Sequence, residues 1–246
     1  MKQTRILMGM PVTVEVVEAA DESLFDEVFE YFGYVDGKFS TYKAASEISR
    51  INRGELEWEH ASDDMKLIFQ LAEQTRIESN GYFDIRHQGR IDPSGIVKGW
   101  AIYNAAEILR KRGFVNYYVD AGGDIQASGK NPQGRAWRVG IRNPFQMDEI
   151  VKVLSITDCG VATSGTYVRG QHIYNPKDGE DALAEILSLT VIGPDVYEAD
   201  RFATAAFAMG RSGIDFIECL PGFEGYMIDR NKQATFTTGF ARVGTA

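Results

Sequence analysis

Two oxygen-bearing side chains, Asp200 and Thr204, are separated by four positions in an alanine-rich segment. On an α-helix this spacing places both side chains on one face, with their Cβ atoms about 5–6 Å apart. A carboxylate beside a hydroxyl is a partial site for a hard cation such as Mg²⁺, which takes oxygen ligands and completes its shell with water and phosphate. In the alternative interpretation, Asp200 interacts only with the helix dipole and Thr204 hydrogen-bonds back to its own helix.

A lysine, Lys98, follows the glycine-containing turn Asp92-Pro93-Ser94-Gly95 at the predicted start of another helix. Free N–H groups in the first turn and the nearby ammonium group would together suit an anion such as phosphate. The spacing matches neither the GxxxxGK[ST] phosphate loop nor the GxGxxG dinucleotide motif. An ordinary helix start, capped by Ser94, is the alternative interpretation.

Three further features could belong to a site. Gly122 and Gly123 separate two strand-like runs, where bare backbone would let a flat ligand approach closely, although such a pair usually marks a hairpin turn. Ser164 is one of three hydroxyl-bearing residues around Gly165, a composition that suits phosphate contacts. His172, one of 3 histidines in the chain, is a candidate general base or, alternatively, a surface residue.

These side chains require a scaffold, which the apolar periodicity predicts. We expect helices over 21–32, 62–77, 95–112, 195–209 and from 212 to just before Pro221, and strands over 6–17, 115–120, 124–128, 136–141, 150–156, 184–193, 225–229 and 235–239. The alternation is irregular, so it predicts an α+β fold rather than a doubly wound sheet. No repeat or linker interrupts residues 1–246, which we interpret as a single domain.

Composition excludes several classes of function. The formal net charge of −9 is opposite in sign to what nucleic-acid or anionic-membrane binding requires. The two cysteines, Cys159 and Cys219, are far apart and in no CxxC pattern, which argues against a disulfide framework and a cysteine zinc site. The N-terminus has no continuous apolar region of a signal peptide, so we expect no membrane anchor and a cytoplasmic location.

Seven blocks of the sequence carry a family resemblance. In order, they are Met8-Gly9-Met10; Phe39-Ser40-Thr41-Tyr42 with Ser46-Glu47-Ile48-Ser49-Arg50-Ile51-Asn52; Gly81-Tyr82-Phe83-Asp84-Ile85; Asp92 to Trp100; Gly122-Gly123-Asp124; Ala162 to Gly165 with His172-Ile173 and Pro176; and Ala199-Asp200 with Ala203-Thr204. Together they resemble the ApbE family of FAD:protein FMN transferases along most of the chain. The resemblance implies an α+β single domain with mixed or antiparallel sheets flanked by helices.

The resemblance also implies a reaction, the Mg²⁺-dependent transfer of FMN from FAD to a Ser or Thr hydroxyl of a target protein with release of AMP. By this analogy Asp200 and Thr204 would hold Mg²⁺ with a backbone carbonyl near Val97. The catalytic residues would be Lys98, near the phosphates, and His172, as the base. The FAD-binding residues would be Met8, Tyr42, Phe83, Asp84, Gly122, Gly123 and Ser164.

FAD and an acceptor protein are the expected partners, with no nucleic acid, and a homodimer is left open. The chain departs from the family pattern in the short segment between Ile85 and Asp92, in a trimmed segment before His172, and in Tyr103, which stands where the family has an aspartate. Two alternatives are therefore retained: a FAD pyrophosphatase that releases FMN and AMP, and a non-catalytic FAD-binding protein.

Overall fold

The computed structural model describes residues 1–165, 174–177 and 185–243. The strands are β1 (Lys2–Leu7), β2 (Met10–Val16), β3 (Arg86–His87), β4 (Arg90–Ile91), β5 (Tyr117–Ala121), β6 (Asp124–Ser128), β7 (Trp137–Asn143), β8 (Gln146–Ile156), β9 (Cys159–Gly165), β10 (Ile186–Gly193), β11 (Glu224–Asp229) and β12 (Ala234–Phe236). The α-helices are α1 (Glu22–Phe39), α2 (Glu47–Asn52), α3 (Asp63–Glu78), α4 (Ser94–Lys111), α5 (Val196–Ala208) and α6 (Gly213–Glu218).

An eight-stranded sheet organises the chain. Its order is β1-β2-β5-β6-β9-β10-β11-β12, and every pairing between neighbours is antiparallel. Strands β3 and β4 form a short separate hairpin, and β7 and β8 form a longer one. The structure therefore confirms the predicted α+β fold, and the sheets in the described residues are antiparallel.

The two faces of the large sheet are covered differently. In β9, Val161 packs in an apolar cluster with the β7–β8 hairpin, whereas the next residue, Ala162, packs against the α5 side. This alternation is what the two-residue period of a strand requires when both faces are buried. On the β2 side, buried residues of β2 and β5 pack against α1 and α4.

Local signals explain where the helices begin. Asp21, Ser62 and Asp195 cap α1, α3 and α5, each side chain accepting a hydrogen bond from the backbone N–H three residues on. The predicted cap at Ser94 was wrong. Pro93 occupies the cap position of α4, and the carboxylate of Asp92 accepts a hydrogen bond from the Ser94 N–H at 3.0 Å.

Other boundaries differ from the prediction as well. The single strand expected over 6–17 is a β1–β2 hairpin, because Met8 and Gly9 adopt φ of 52° and 72° and reverse the chain. Helix α1 continues to Phe39, beyond the expected end at residue 32. Strand β9 was not predicted, because its glycine and hydroxyl residues were interpreted only as candidates for phosphate contacts. In the part of the chain that the structure describes, no helix is long and apolar enough to cross a membrane.

Candidate metal and phosphate site

Helix α5 presents Asp200 and Thr204 to neighbouring elements rather than to its own backbone. The N-terminus of α5 is fixed by the Asp195 cap and by Gln126 of β6, whose side-chain oxygen accepts a hydrogen bond from the Val196 N–H at 2.8 Å. Asp200 is 2% exposed, and its Oδ2 accepts a hydrogen bond from the α4 backbone instead of interacting with the α5 dipole alone. The purely local interpretation therefore does not hold for Asp200, whose carboxylate contacts α4.

Helices α4 and α5 approach each other closely at two glycines. A Cβ atom at Gly99 would lie 2.6 Å from the Asp200 Cβ, so only glycine fits there. The Gly99 N–H donates to Asp200 Oδ2 at 2.8 Å, and the Thr204 hydroxyl donates to the Gly95 carbonyl at 3.4 Å. In a regular helix the Gly99 N–H and the Gly95 carbonyl would bond to each other. Here both also contact oxygen-bearing side chains of α5.

Lys98 lies between two buried carboxylates, Asp124 and Asp200. Its Nζ is 3.4 Å from Asp200 Oδ1 and makes a closer ion pair with Asp124 Oδ2. Burial raises the pKa of the Asp200 carboxyl well above its usual range, Lys98 lowers it in part, and the negative charge of Asp124 raises it further. The cluster holds two buried carboxylates but one ammonium group, so its negative charge would favour a further cation beside Asp200.

Ser164 and Phe83 border the same cluster. Ser164 lies in β9, and its hydroxyl is 3.5 Å from the Thr204 hydroxyl. Phe83, 3% exposed, packs beside Gly95, where an added Cβ would meet its ring edge at 3.2 Å. The structure thus brings together four predicted site residues, Lys98, Ser164, Asp200 and Thr204, with Phe83 as an adjoining wall.

The predicted glycine pair lies at the same end of the sheet. Gly122 and Gly123, at φ of 64° and 99°, form the β5–β6 turn, as the hairpin interpretation expected. The Met8 turn is next to it, because the start of β2 pairs with the end of β5 and the Gly122 N–H donates to the Pro11 carbonyl at 3.1 Å. The turn leads directly into Asp124, so backbone and carboxylate approach the cluster from one edge.

The remaining predicted residues lie around this core. Tyr42, in the loop between α1 and α2, is 98% exposed. Asp84 uses its carboxylate to accept a hydrogen bond from the Arg86 N–H at 2.8 Å, at the base of the β3–β4 hairpin. Val97 has a buried side chain in the first turns of α4, next to Lys98. His172 lies outside the described residues.

Asp124 was not assigned a role from the sequence, although it follows the glycine pair directly. It is 2% exposed, and its Oδ1 accepts a hydrogen bond from the Thr163 N–H of β9 at 3.0 Å. Its Oδ2 is within ion-pair distance of Lys98 Nζ but has no hydrogen-bond partner among the described residues. The contact therefore acts through charge. The available signal was its position directly after the glycine pair, at the start of a strand-like run.

The donor chemistry fits Mg²⁺ better than a softer metal. Among the described residues no group of three or more His, Cys, Asp or Glu side chains could hold a metal. The candidate donors are instead all oxygen: a carboxylate, two hydroxyls and a backbone carbonyl, from Asp200, Thr204, Ser164 and Gly95. Mg²⁺ is held by few protein oxygens and fills its octahedral shell with water and substrate phosphate.

Comparison with known proteins decides the family. The model of the ApbE family matches residues 8–89 and 85–227, which is most of the chain. The chain belongs to the ApbE family. The matched range begins at Met8 in the β1–β2 turn, includes α4, β6, β9 and α5, and ends at Met227 in β11.

Curated relatives within the ApbE family are FAD:protein FMN transferases. The Vibrio cholerae relative is 33% identical over 129 residues, which are 49% of this chain and 39% of that protein. The Treponema pallidum relative is 29% identical over 168 residues, which are 61% of this chain and 46% of that protein. The matches thus span less than half the length of these relatives.

Solved ApbE structures share the fold over the whole chain. The flavin transferase ApbE from Vibrio cholerae superposes with a TM-score of 0.86 at 22% identity, covering 99% of each chain. The ApbE protein from Thermotoga maritima gives a TM-score of 0.87 at 21% identity, covering 100% of this chain and 99% of that one. At these identities the superpositions establish the architecture, and the chemistry rests on the residues of the cluster.

Proposed function

We propose that the protein is a FAD:protein FMN transferase that moves FMN from FAD to a Ser or Thr hydroxyl of an acceptor protein and releases AMP. The observation that carries this proposal is the buried cluster of Lys98, Asp200 and Thr204 between α4 and α5. Membership of the ApbE family, whose curated relatives have this activity, supports it. FAD is the substrate and the acceptor protein is the partner.

The proposed metal ligands are Asp200, Thr204 and a backbone carbonyl at the start of α4, at Val97 or at Gly95. Mg²⁺ bound there would neutralise charge on the pyrophosphate of FAD and polarise its phosphorus. The Lys98 ammonium supplies a second positive charge beside Asp200, with its stem fixed on α4. Both charges would stabilise the phosphate oxygens more in the transition state than in the bound substrate.

The transfer exchanges one phosphorus–oxygen bond for another. The acceptor hydroxyl oxygen bonds to the FMN phosphorus, and the bond from that phosphorus to the bridging oxygen breaks, so the bridging oxygen leaves with AMP. The hydroxyl proton must pass to a base, and we assign this role to His172, which lies a few residues beyond Ser164 and β9. A histidine suits the task because its ordinary pKa lies near neutral pH.

FAD binding is assigned to residues at the same end of the sheet. Met8, Gly122 and Gly123 form adjoining turns, and Ser164 ends β9 beside Thr204. Phe83 and Asp84 border the start of α4, where Phe83 packs beside Gly95. Tyr42, 98% exposed, offers a free aromatic face for stacking on a flavin or adenine ring.

The proposal extends to the organisation of the protein. We propose one domain over residues 1–246, acting in the cytoplasm on its acceptor, with a homodimer as the oligomeric form to test. Cys159 and Cys219 are free thiols, as is usual in a reducing compartment. The net charge of −9 agrees with a protein partner rather than nucleic acid.

The test is incubation of the protein with FAD, Mg²⁺ and a peptide that carries an acceptor Thr, followed by mass spectrometry and nucleotide analysis. Transfer adds the mass of one FMN to the peptide and releases AMP. Free FMN with AMP would instead show a pyrophosphatase, and bound FAD without products would show a binding protein.

A separate variant tests the assignment of Asp200 as a metal ligand. Asp200→Ala should abolish Mg²⁺-dependent product formation, whereas Asp215→Asn, an exposed carboxylate on α6, should leave it unchanged. Full activity in Asp200→Ala would refute the proposed site, and absence of FAD binding in the wild-type protein would refute the function.

A further inference from the structure

Asp124 occupies a position that the proposed ligand set does not use. Its carboxylate shares the Lys98 ammonium with Asp200, and Asp124 is the first residue of β6. The Thr163 N–H of the neighbouring strand holds Asp124 Oδ1 at 3.0 Å. Because that bond belongs to the strand framework, Asp124 is fixed whether or not Lys98 contacts it.

Lys98 and a metal ion on Asp200 would compete for the same oxygen. The Lys98 Nζ is 3.4 Å from Asp200 Oδ1, whereas Asp200 Oδ2 accepts the Gly99 N–H. Asp200 Oδ1 is therefore the oxygen left for a cation. A divalent ion there would repel an ammonium group only a few ångströms away, and the ammonium is buried enough that water cannot stabilise it fully.

We propose that Asp124 is a positioning residue for the metal site, which takes up Lys98 when a divalent cation binds Asp200. In the metal-free protein Lys98 pairs with both carboxylates. In the metal-bound protein the ammonium stays paired with Asp124. The inference rests on the proposed metal site at Asp200 and Thr204.

Two features separate this role from that of a metal ligand. Asp124 Oδ1 accepts the hydrogen bond of the Thr163 N–H, and Oδ2 makes the closer of the two ion pairs of Lys98 Nζ. Asp124 acts on the cation through Lys98, by offering the lysine a second partner.

The variant Asp124→Asn tests the role with little change of shape. The amide keeps an oxygen that can accept the Thr163 N–H, so the β6–β9 contact is retained, but the charge that holds Lys98 is lost. Lys98 then loses its closer carboxylate partner, pairs more strongly with Asp200 and competes with the cation. We expect cation binding to weaken by about 10- to 100-fold, the range for residues that orient metal ligands.

Binding is measured with Mn²⁺, a stand-in for Mg²⁺ with the same preference for oxygen ligands, from the electron paramagnetic resonance signal of the free ion and without FAD. The matched control is Asp120→Asn. It removes the same charge from the same hairpin, where Asp120 contacts the Gly123 N–H and the Tyr118 hydroxyl rather than Lys98. We expect less than about threefold weakening in this control, because an uncontacted charge acts only through the screened field.

Repeating the Asp124→Asn substitution in a variant that lacks the lysine isolates the contribution of Lys98. In Lys98→Gln the competitor is absent, so adding Asp124→Asn should cost much less cation affinity than it costs with Lys98 present. Equal losses in the two backgrounds would show that Asp124 acts by its charge or as a direct ligand, and would overturn the inference. So would equal losses in Asp124→Asn and Asp120→Asn.

The outcomes also separate the inference from the function on which it rests. If the wild-type protein binds Mn²⁺ and Asp200→Ala does not, the metal site stands, and the variants of Asp124 then decide the positioning role alone. If the wild-type protein binds no Mn²⁺, the proposed metal site fails and the inference fails with it. Thermal unfolding of each variant, read in parallel, shows whether a loss of binding reflects a loss of fold.

Discussion

Gly99→Ala is the most direct test of the close contact between α4 and α5. The added Cβ would lie 2.6 Å from the Asp200 Cβ, 2.9 Å from the Val196 carbonyl oxygen and 3.0 Å from Asp200 Oδ2. An ordinary contact between carbon atoms is about 3.5–4.0 Å. The nearest atoms are backbone and a Cβ, which cannot rotate away, so the two helices must separate by about 1 Å to restore ordinary contacts.

Three contributions determine how much Gly99→Ala changes the free energy of unfolding. Overpacking of this kind costs about 1–3 kcal/mol, and weakening the hydrogen bond from Gly99 N–H to the Asp200 carboxylate costs about 1.5–3 kcal/mol at most. Alanine in a helix interior recovers about 1 kcal/mol relative to glycine. We therefore expect Gly99→Ala to lower the free energy of unfolding by about 1.5–5 kcal/mol. It should also weaken Mn²⁺ binding, because α4 supplies a carbonyl and α5 the side chains.

The assay is urea unfolding followed by circular dichroism, with Gly33→Ala as the matched control. Gly33 lies inside α1, and an added Cβ there meets no atom within 4 Å, so this variant should gain about 0.5–1 kcal/mol. If Gly99→Ala is as stable as the control, the close approach does not constrain the site and the reasoning fails. If it is destabilised but binds Mn²⁺ like the wild-type protein, the coupling of helix spacing to the cation is wrong.

Two further predictions follow from exposure and burial. Tyr42→Ala should leave the free energy of unfolding within about 0.5 kcal/mol of wild type, because the side chain is 98% exposed. The same variant should weaken FAD binding by about two- to tenfold through loss of stacking. Fluorescence titration measures the affinity for FAD, and an unchanged affinity would exclude Tyr42 from the site. Iodoacetamide at pH 8 should add one label to the native protein, at the exposed Cys219, because burial raises the pKa of Cys159 to about 11 and leaves little thiolate. Two labels on the native protein, or one on Cys219→Ser at the same rate, would contradict this.

The parts of the site that were predictable depend on local sequence. The Asp195 cap, the helical spacing and the four-residue interval of Asp200 and Thr204 all lie within one short segment, and the structure confirms the helix that carries them. The same holds for the Gly122-Gly123 turn. Such features are set by backbone preferences over a few residues, which periodicity and capping rules describe.

The parts that were not predictable depend on contacts far apart in the chain. Gly99 and Asp200 are 101 residues apart, and Asp124 reaches Thr163 over 39 residues. Pairing of β6 with β9 creates the second contact, and β9 itself was not predicted as a strand. The turn at Met8 was not predicted for another reason. A non-glycine residue at φ of 52° is uncommon, so the alternating apolar residues around it predicted one continuous strand.

The composition of the cluster bears on why it exists. Removing two carboxylates and an ammonium group from water costs free energy. Replacing a buried ion pair with apolar side chains is often neutral or stabilising. Asp124 and Asp200, each 2% exposed, are therefore poorly explained as elements of stability. Each is instead fixed by one backbone N–H, from Thr163 and Gly99, which orients its second oxygen toward Lys98. Carboxylates held in this way need no rearrangement to meet a cation, and the cost of their burial is what makes a bound cation stabilising.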